Sequence, residues 1–126
     1  MPKQIHRVEG VKPSQLLSHV VEANGFVFLA GTVGDDPATG TVRAGGFEAE
    51  CRQMLDNVGR LLRGVGLDYP DAVRSTVYLV DFANREAYNR IYREYFPSEP
   101  PVRATVQAGL TPPYTIEIEV TAVRRE

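Results

Sequence analysis

The stretch SHVVEANGFVFLAGT, residues 18–32, constrains the fold more than any other in the chain. Asn24-Gly25 stands between two apolar runs. A two-residue type I′ turn needs positive φ at both central positions, which Asn and Gly tolerate. A β-hairpin is therefore expected, with strands over 18–23 and 26–32. In the second strand Phe26 and Phe28 point one way and Val27 and Leu29 the other, so both faces of its sheet are apolar and both need a cover.

Helices supply one cover. Phe47, Cys51, Met54, Leu55, Val58, Leu61, Leu62 and Val65 recur at helical spacing and predict a helix over 47–64 with one apolar stripe. Arg52, Asp56, Arg60 and Arg63 fall largely outside the stripe, Asp56 and Arg60 at i,i+4. Gly64 and Gly66 are terminators, and the preceding GDDPATGTVRAGG is a loop. VRSTVYLVD reads as a strand. ANREAYNRIYREYF reads as a short second helix, N-capped by Asp81 or Asn84, with Pro97 beyond its end. VRATVQA and YTIEIEVTAV are two final strands, and residues 3–8 a possible first one. The order β-β-β-α-β-α-β-β predicts an α+β fold, a mixed sheet with two helices on one face. The 126 residues fit one domain, 1–126. The other sheet face is left for a further copy of the chain.

Composition narrows the function. A net charge of -2 offers no basic footprint for nucleic acid. No apolar run reaches the length of a membrane span, and the N-terminus lacks the apolar core of a signal peptide. One cysteine allows no internal disulfide, which points to the cytoplasm. Two histidines and one cysteine, far apart in sequence, make no usual zinc site, and no phosphate-binding loop is present, so no metal or cofactor is expected.

The polar residues of the last two strands carry the sharpest expectation. Ile116, Ile118, Val120 and Ala122 alternate with Glu117, Glu119 and Thr121; Val102, Ala104 and Val106 alternate with Arg103, Thr105 and Gln107. If these strands pair as an antiparallel hairpin, their apolar sets share the helix face. Arg103, Thr105 and Gln107 then join Glu117 and Glu119 on the open face. A guanidinium there is a fork for a carboxylate ligand, and a carboxylate there can hold a water. The alternative is a solvated strand face with ordinary ion pairs. Cys51 reads as core, and His19 as structural or surface. Ser18 and Ser75 lack a nucleophile-elbow context. Asn57 reads as a helix-face residue with a local hydrogen bond, Asn89 as an exposed helix amide, and Tyr92, Tyr95 and Phe96 as packing.

FVFLAGTVG, QMLDNVGRLLRGVGL, STVYLVDFANREAYNRIYREYF, PPVRATVQ and IEIEVTAV together resemble the RidA/YjgF family of reactive-intermediate deaminases over nearly the whole chain. The resemblance implies a chorismate-mutase-like fold and a homotrimer, with the sheets forming a central barrel and clefts between subunits. It implies hydrolysis of enamines and imines such as 2-aminoacrylate to 2-keto acids and ammonia, without metal or covalent intermediate. Arg103 matches the arginine that grips the substrate carboxylate, and Glu117 the glutamate that positions water. Thr105, Asn89 and the segment around Ala30 and Gly31 match the cleft lining. Leu17 stands where the best-known members carry a pocket tyrosine, Ala30 where they often carry serine, and Thr105 where they often carry cysteine. This less polar pocket leaves two further readings, a binding module for small carboxylates such as 2-keto acids and a pathway-specific deaminase of a larger amino-enoate.

Overall fold

The computed structural model describes residues 2–125. Its strands are β1 (Gln4–His6), β2 (Val20–Ala23), β3 (Phe26–Leu29), β4 (Thr32–Val33), β5 (Ala72–Leu79), β6 (Val102–Gln107) and β7 (Ile116–Val123). Helix α1 (Phe47–Gly64) follows β4, and α2 (Arg85–Tyr95) lies between β5 and β6. The strands form one mixed sheet in the order β1-β2-β3-β7-β5-β6, with β4 also paired to β7.

Asn24 and Gly25 turn the β2–β3 hairpin at φ 54° and 82°, the left-handed geometry expected of the pair. The strand expected over 26–32 is broken. The N–H of Ala30 still donates to the His19 carbonyl across the hairpin, 2.9 Å, but the chain then steps at Gly31. It resumes as β4 farther along β7, Thr32 opposite Ile118 and Val33 opposite Glu117. The step brings the bare backbone of Gly31 against the Glu117 side chain.

The α1 stripe packs as its spacing predicts. Cys51, Met54, Leu55, Val58, Leu61 and Leu62 are buried, with Phe47 and Val65 at the margin. They meet Val20, Val27, Leu29, Val77, Leu79, Ile116, Ile118 and Val120 from the sheet. Cys51 is fully buried and desolvation pushes its thiol up to about 12, so it is core and not a nucleophile. Asp81 accepts from the N–H of Ala83 and caps a short 3₁₀ turn leading into α2; the Asn84 side chain makes no cap bond. Asn57 reaches well beyond its own helix. Its Nδ2 donates to the carbonyls of Val33 and Asp35, 2.9 Å each, and ties α1 to the loop after β4.

The expected hairpin of the last two strands does not form. β5 lies between β6 and β7, antiparallel to β7 and parallel to β6. Ser75 stands opposite both Arg103 and Val120, and Val77 opposite both Thr105 and Ile118. Paired residues share a face. Arg103, Thr105 and Gln107 are therefore on the helix face, and Val102, Ala104 and Val106 on the open face with Glu117 and Glu119. The alternation in β6 misleads because β6 is a sheet edge. Val102 is 62% exposed and Val106 43%, so the phase of its apolar residues does not mark the core.

The open face is apolar where expected. Phe26 and Phe28 lie on it, each 45% exposed. At the far edge the carboxylate of Glu22 on β2 accepts from Arg124 Nε, 2.8 Å, and Nη2, 3.0 Å, and pairs with His6 on β1 at 2.8 Å. The Arg124 hydrogen bond, then that of His6, holds the Glu22 carboxyl down at about 2 against an ordinary 4.5. A carboxylate depressed in the folded state stabilises it fully above its unfolded value and loses that contribution as pH falls. Urea titrations across pH 4.5 to 2 are expected to show wild type losing more stability than Glu22→Gln. Parallel pH curves would contradict this clamp.

Candidate functional site

Arg103 rises from the edge strand β6 under α2. Its guanidinium carbon lies 4.9 Å from the ring centroids of both Tyr88 and Tyr92. Two aromatic faces at that distance attract a cation and limit where it can swing. The seat is itself braced. The Tyr92 hydroxyl is 2.7 Å from Ser75 Oγ, and the Tyr88 hydroxyl 3.2 Å from Thr105 Oγ1. Burial pushes the Tyr88 phenol up to about 12, so the platform stays neutral. Among the described residues no salt bridge engages Arg103. The fork is positioned, exposed and uncompensated, as a carboxylate receptor must be.

Asn89 flanks the same seat. Ion pairs Arg90–Glu48, 2.7 Å, and Arg52–Glu94 mark the side of α2 that meets α1. At about 100° per residue, Asn89 falls on the other side, next to Tyr92. It is not the exposed amide expected: its Oδ1 is buried without a hydrogen-bond partner among the described residues. A buried acceptor left open costs free energy unless a donor arrives.

Glu117 belongs to a second locus. On β7 it stands between Val33 of β4 and Tyr78 of β5, on the open face. Desolvation first, and then the like charge of Glu119, raise its carboxyl above the ordinary 4.5. Glu119 is engaged, accepting from the Tyr78 hydroxyl at 2.8 Å. A Cβ on residue 31 would fall on Oε2 of Glu117, so only glycine lets the carboxylate lie where it does. Ala30 adjoins this point. Leu17 is 50% exposed on the loop before β2. His19 does not join the carboxylate; its Nε2 is 3.1 Å from the Lys12 carbonyl.

The structure thus gathers Arg103, Thr105 and Asn89 at one locus and Glu117, Gly31 and Ala30 at another. The two loci are not one site within the chain. Arg103 and Glu117 are on opposite faces, two strands apart and three residues out of step, roughly 14 Å between Cα atoms at ordinary strand spacings. Sequence reasoning missed Tyr88 and treated Tyr92 as packing alone. Their i,i+4 spacing on α2 was visible, but not that β6 would run beneath them.

A family model described as endoribonuclease L-PSP matches residues 9–124. The chain belongs to this family, the RidA/YjgF family. Among curated members, it is 39% identical to reactive intermediate deaminase A, chloroplastic, of Arabidopsis thaliana, over 83% of this chain and 57% of that one. The chain thus spans little more than half of the plant protein. Human 2-iminobutanoate/2-iminopropanoate deaminase is 35% identical over 85% of this chain and 79% of its own length. The crystal structure of the YjgF gene product of E. coli superposes with a TM-score of 0.80 at 32% identity, covering 86% of this chain and 88% of that one. The RidA/YjgF fold is therefore the observed one, two helices on a mixed sheet. No helix among the described residues is long and apolar enough to cross a membrane.

Proposed function

We propose that the protein hydrolyses small 2-imino acids, including the imine tautomer of 2-aminoacrylate, to 2-keto acids and ammonia. The observation that carries this reading is Arg103: a guanidinium seated on two neutral tyrosines with no salt bridge of its own among the described residues. The names of the plant and human relatives, both deaminases, support it. Because Arg103 and Glu117 lie on opposite faces, a cleft that uses both takes Arg103 from one copy and Glu117 from another. The uncovered face with Phe26 and Phe28 is the surface on which copies would meet, and the homotrimer of the family is the assembly proposed. Small imino acids as ligands and the cytoplasm as compartment belong to the same proposal.

In this reading Arg103 holds the substrate carboxylate in a bidentate contact and fixes the imine carbon. Asn89 Oδ1 takes a hydrogen bond from the substrate nitrogen. Glu117 accepts a proton from the attacking water as its oxygen bonds to the imine carbon. The nitrogen gains protons, the C–N bond breaks, and the carbonyl forms as ammonia leaves. Each imine consumes one water and yields one keto acid and one ammonia. Glu117 suits a base: burial and the charge of Glu119 raise its carboxyl, so it binds the water's proton better than an ordinary carboxylate.

A lyase that releases 2-aminoacrylate, run with and without the protein, tests this. Faster appearance of keto acid and ammonia with wild type, and not with Arg103→Ala, is expected; equal rates in all three would overturn the reading for this substrate. The half-exposed Leu17 and the apolar Ala30 favour a second reading, a sensor of 2-keto acids without turnover. That predicts thermal stabilisation by keto acids, lost in Arg103→Ala, with no acceleration of hydrolysis.

A further inference from the structure

A cavity of ≈ 420 Å³ lies apart from the Arg103 locus and shares Gly31 with the Glu117 locus. It opens between the loop before β2, the β4 edge and α1, and it is the size of a small-molecule site. Val11, Val33 and Leu61 give it an apolar floor. Lys12 and Arg60 stand on its walls, from different elements. Among the described residues no salt bridge engages either cation. The i,i+4 partner that the sequence offers Arg60 is taken: Asp56 Oδ1 accepts from the Tyr95 hydroxyl at 2.8 Å.

The walls are fixed. Asn57 clamps the Val33 and Asp35 carbonyls, and the Asp35 carboxylate, the one acid in the lining, accepts from Asn57 Nδ2 at 3.0 Å. His19 holds the Lys12 backbone through its carbonyl. A preformed, half-apolar cavity with two uncommitted cations and one engaged carboxylate selects an anion with a hydrocarbon body.

We propose that this cavity is a second ligand site, taking a small carboxylate with an aliphatic body, its charge between Lys12 and Arg60 and its chain over Val11, Val33 and Leu61. The site stands apart from the Arg103 seat, which contributes nothing to it. Gly31 is shared between the cavity wall and the Glu117 locus, so its amide reports on occupancy.

Isovalerate is the probe, followed by amide NMR on the intact protein. Saturable shifts are expected at residues 11, 12, 31 and 60. Arg60→Gln is expected to weaken binding by about tenfold or more, the size of a lost charge-assisted contact, and Arg103→Ala to leave it unchanged. Lys12→Gln, on an exposed loop, is the second variant should Arg60→Gln fail to fold, and it is expected to weaken binding in the same direction. Isobutylamine, the same hydrocarbon body with a cationic head, is expected not to bind. Shifts confined to residues 103–107, loss of binding in Arg103→Ala, equal binding of the amine, or no saturable shift with wild type would each overturn the proposal.

Discussion

Arg103→Ala is expected to lower kcat/KM for imine hydrolysis by about 10²- to 10³-fold, the value of a bidentate charge-assisted contact removed from the reacting complex. The fold should tolerate the change. Arg103 is exposed on an edge strand and stabilises the chain only through its stacking on Tyr88 and Tyr92, about 0.5–1 kcal/mol at such a site. Arg103→Lys separates charge from geometry. An ammonium keeps the attraction but loses the fork, so an intermediate activity is expected. Steady-state kinetics with one imine and a thermal melt of each variant suffice to check this. An Arg103→Ala enzyme at wild-type rate would remove Arg103 from the mechanism.

Glu117→Gln is expected to lower the rate by about 10²- to 10⁴-fold, the usual share of a general base, and at the same time to stabilise the protein near neutral pH. The second half follows from the direction of its shift. The folded-state carboxyl lies above its unfolded value through desolvation and the charge of Glu119. Below the unfolded value both states hold the proton and nothing is gained or lost; as pH rises through the folded value, ionisation costs the folded state more, and stability falls. Glutamine never ionises. Melting curves of the two proteins should coincide in acid, separate as pH rises from the unfolded to the raised folded value, and stay apart above it, with the variant higher. Activity should show an acid limb over the same window. Gly31→Ala adds a separate check. Its new Cβ falls on the Glu117 carboxylate, which must swing away, so a drop of about 10²-fold is expected from misplacement alone. Unchanged activity in Gly31→Ala would show that the carboxylate does not act from where it lies.

The three candidate site residues differ in how far their positions are legible in the sequence. Glu117 was placed on the correct face because β7 is interior to the sheet: Ile116, Ile118 and Val120 are buried, and burial sets the phase of the strand. Arg103 was placed on the wrong face by the same reasoning, because β6 is an edge where Val102 and Val106 stay exposed. Alternation carries information only where one face is dry. Helical spacing alone reads Asn89 as an exposed amide and only the family resemblance puts it at the cleft, since a single helix turn does not reveal what flanks it. In the structure its acceptor is buried and open.

What the sequence determined by itself was local and periodic. The Asn24-Gly25 turn, the α1 stripe and the cap at Asp81 follow from backbone sterics and hydrophobic spacing within a few turns of chain, and with them came the α+β class and the helices on one face. Only the tertiary structure decided strand order. Placing β5 between β6 and β7 put Arg103 beneath Tyr88 and Tyr92 and set Glu117 on the opposite face. Strand order depends on contacts between segments far apart in sequence, and on crossover connections through helices. Neither leaves a periodic mark in the chain.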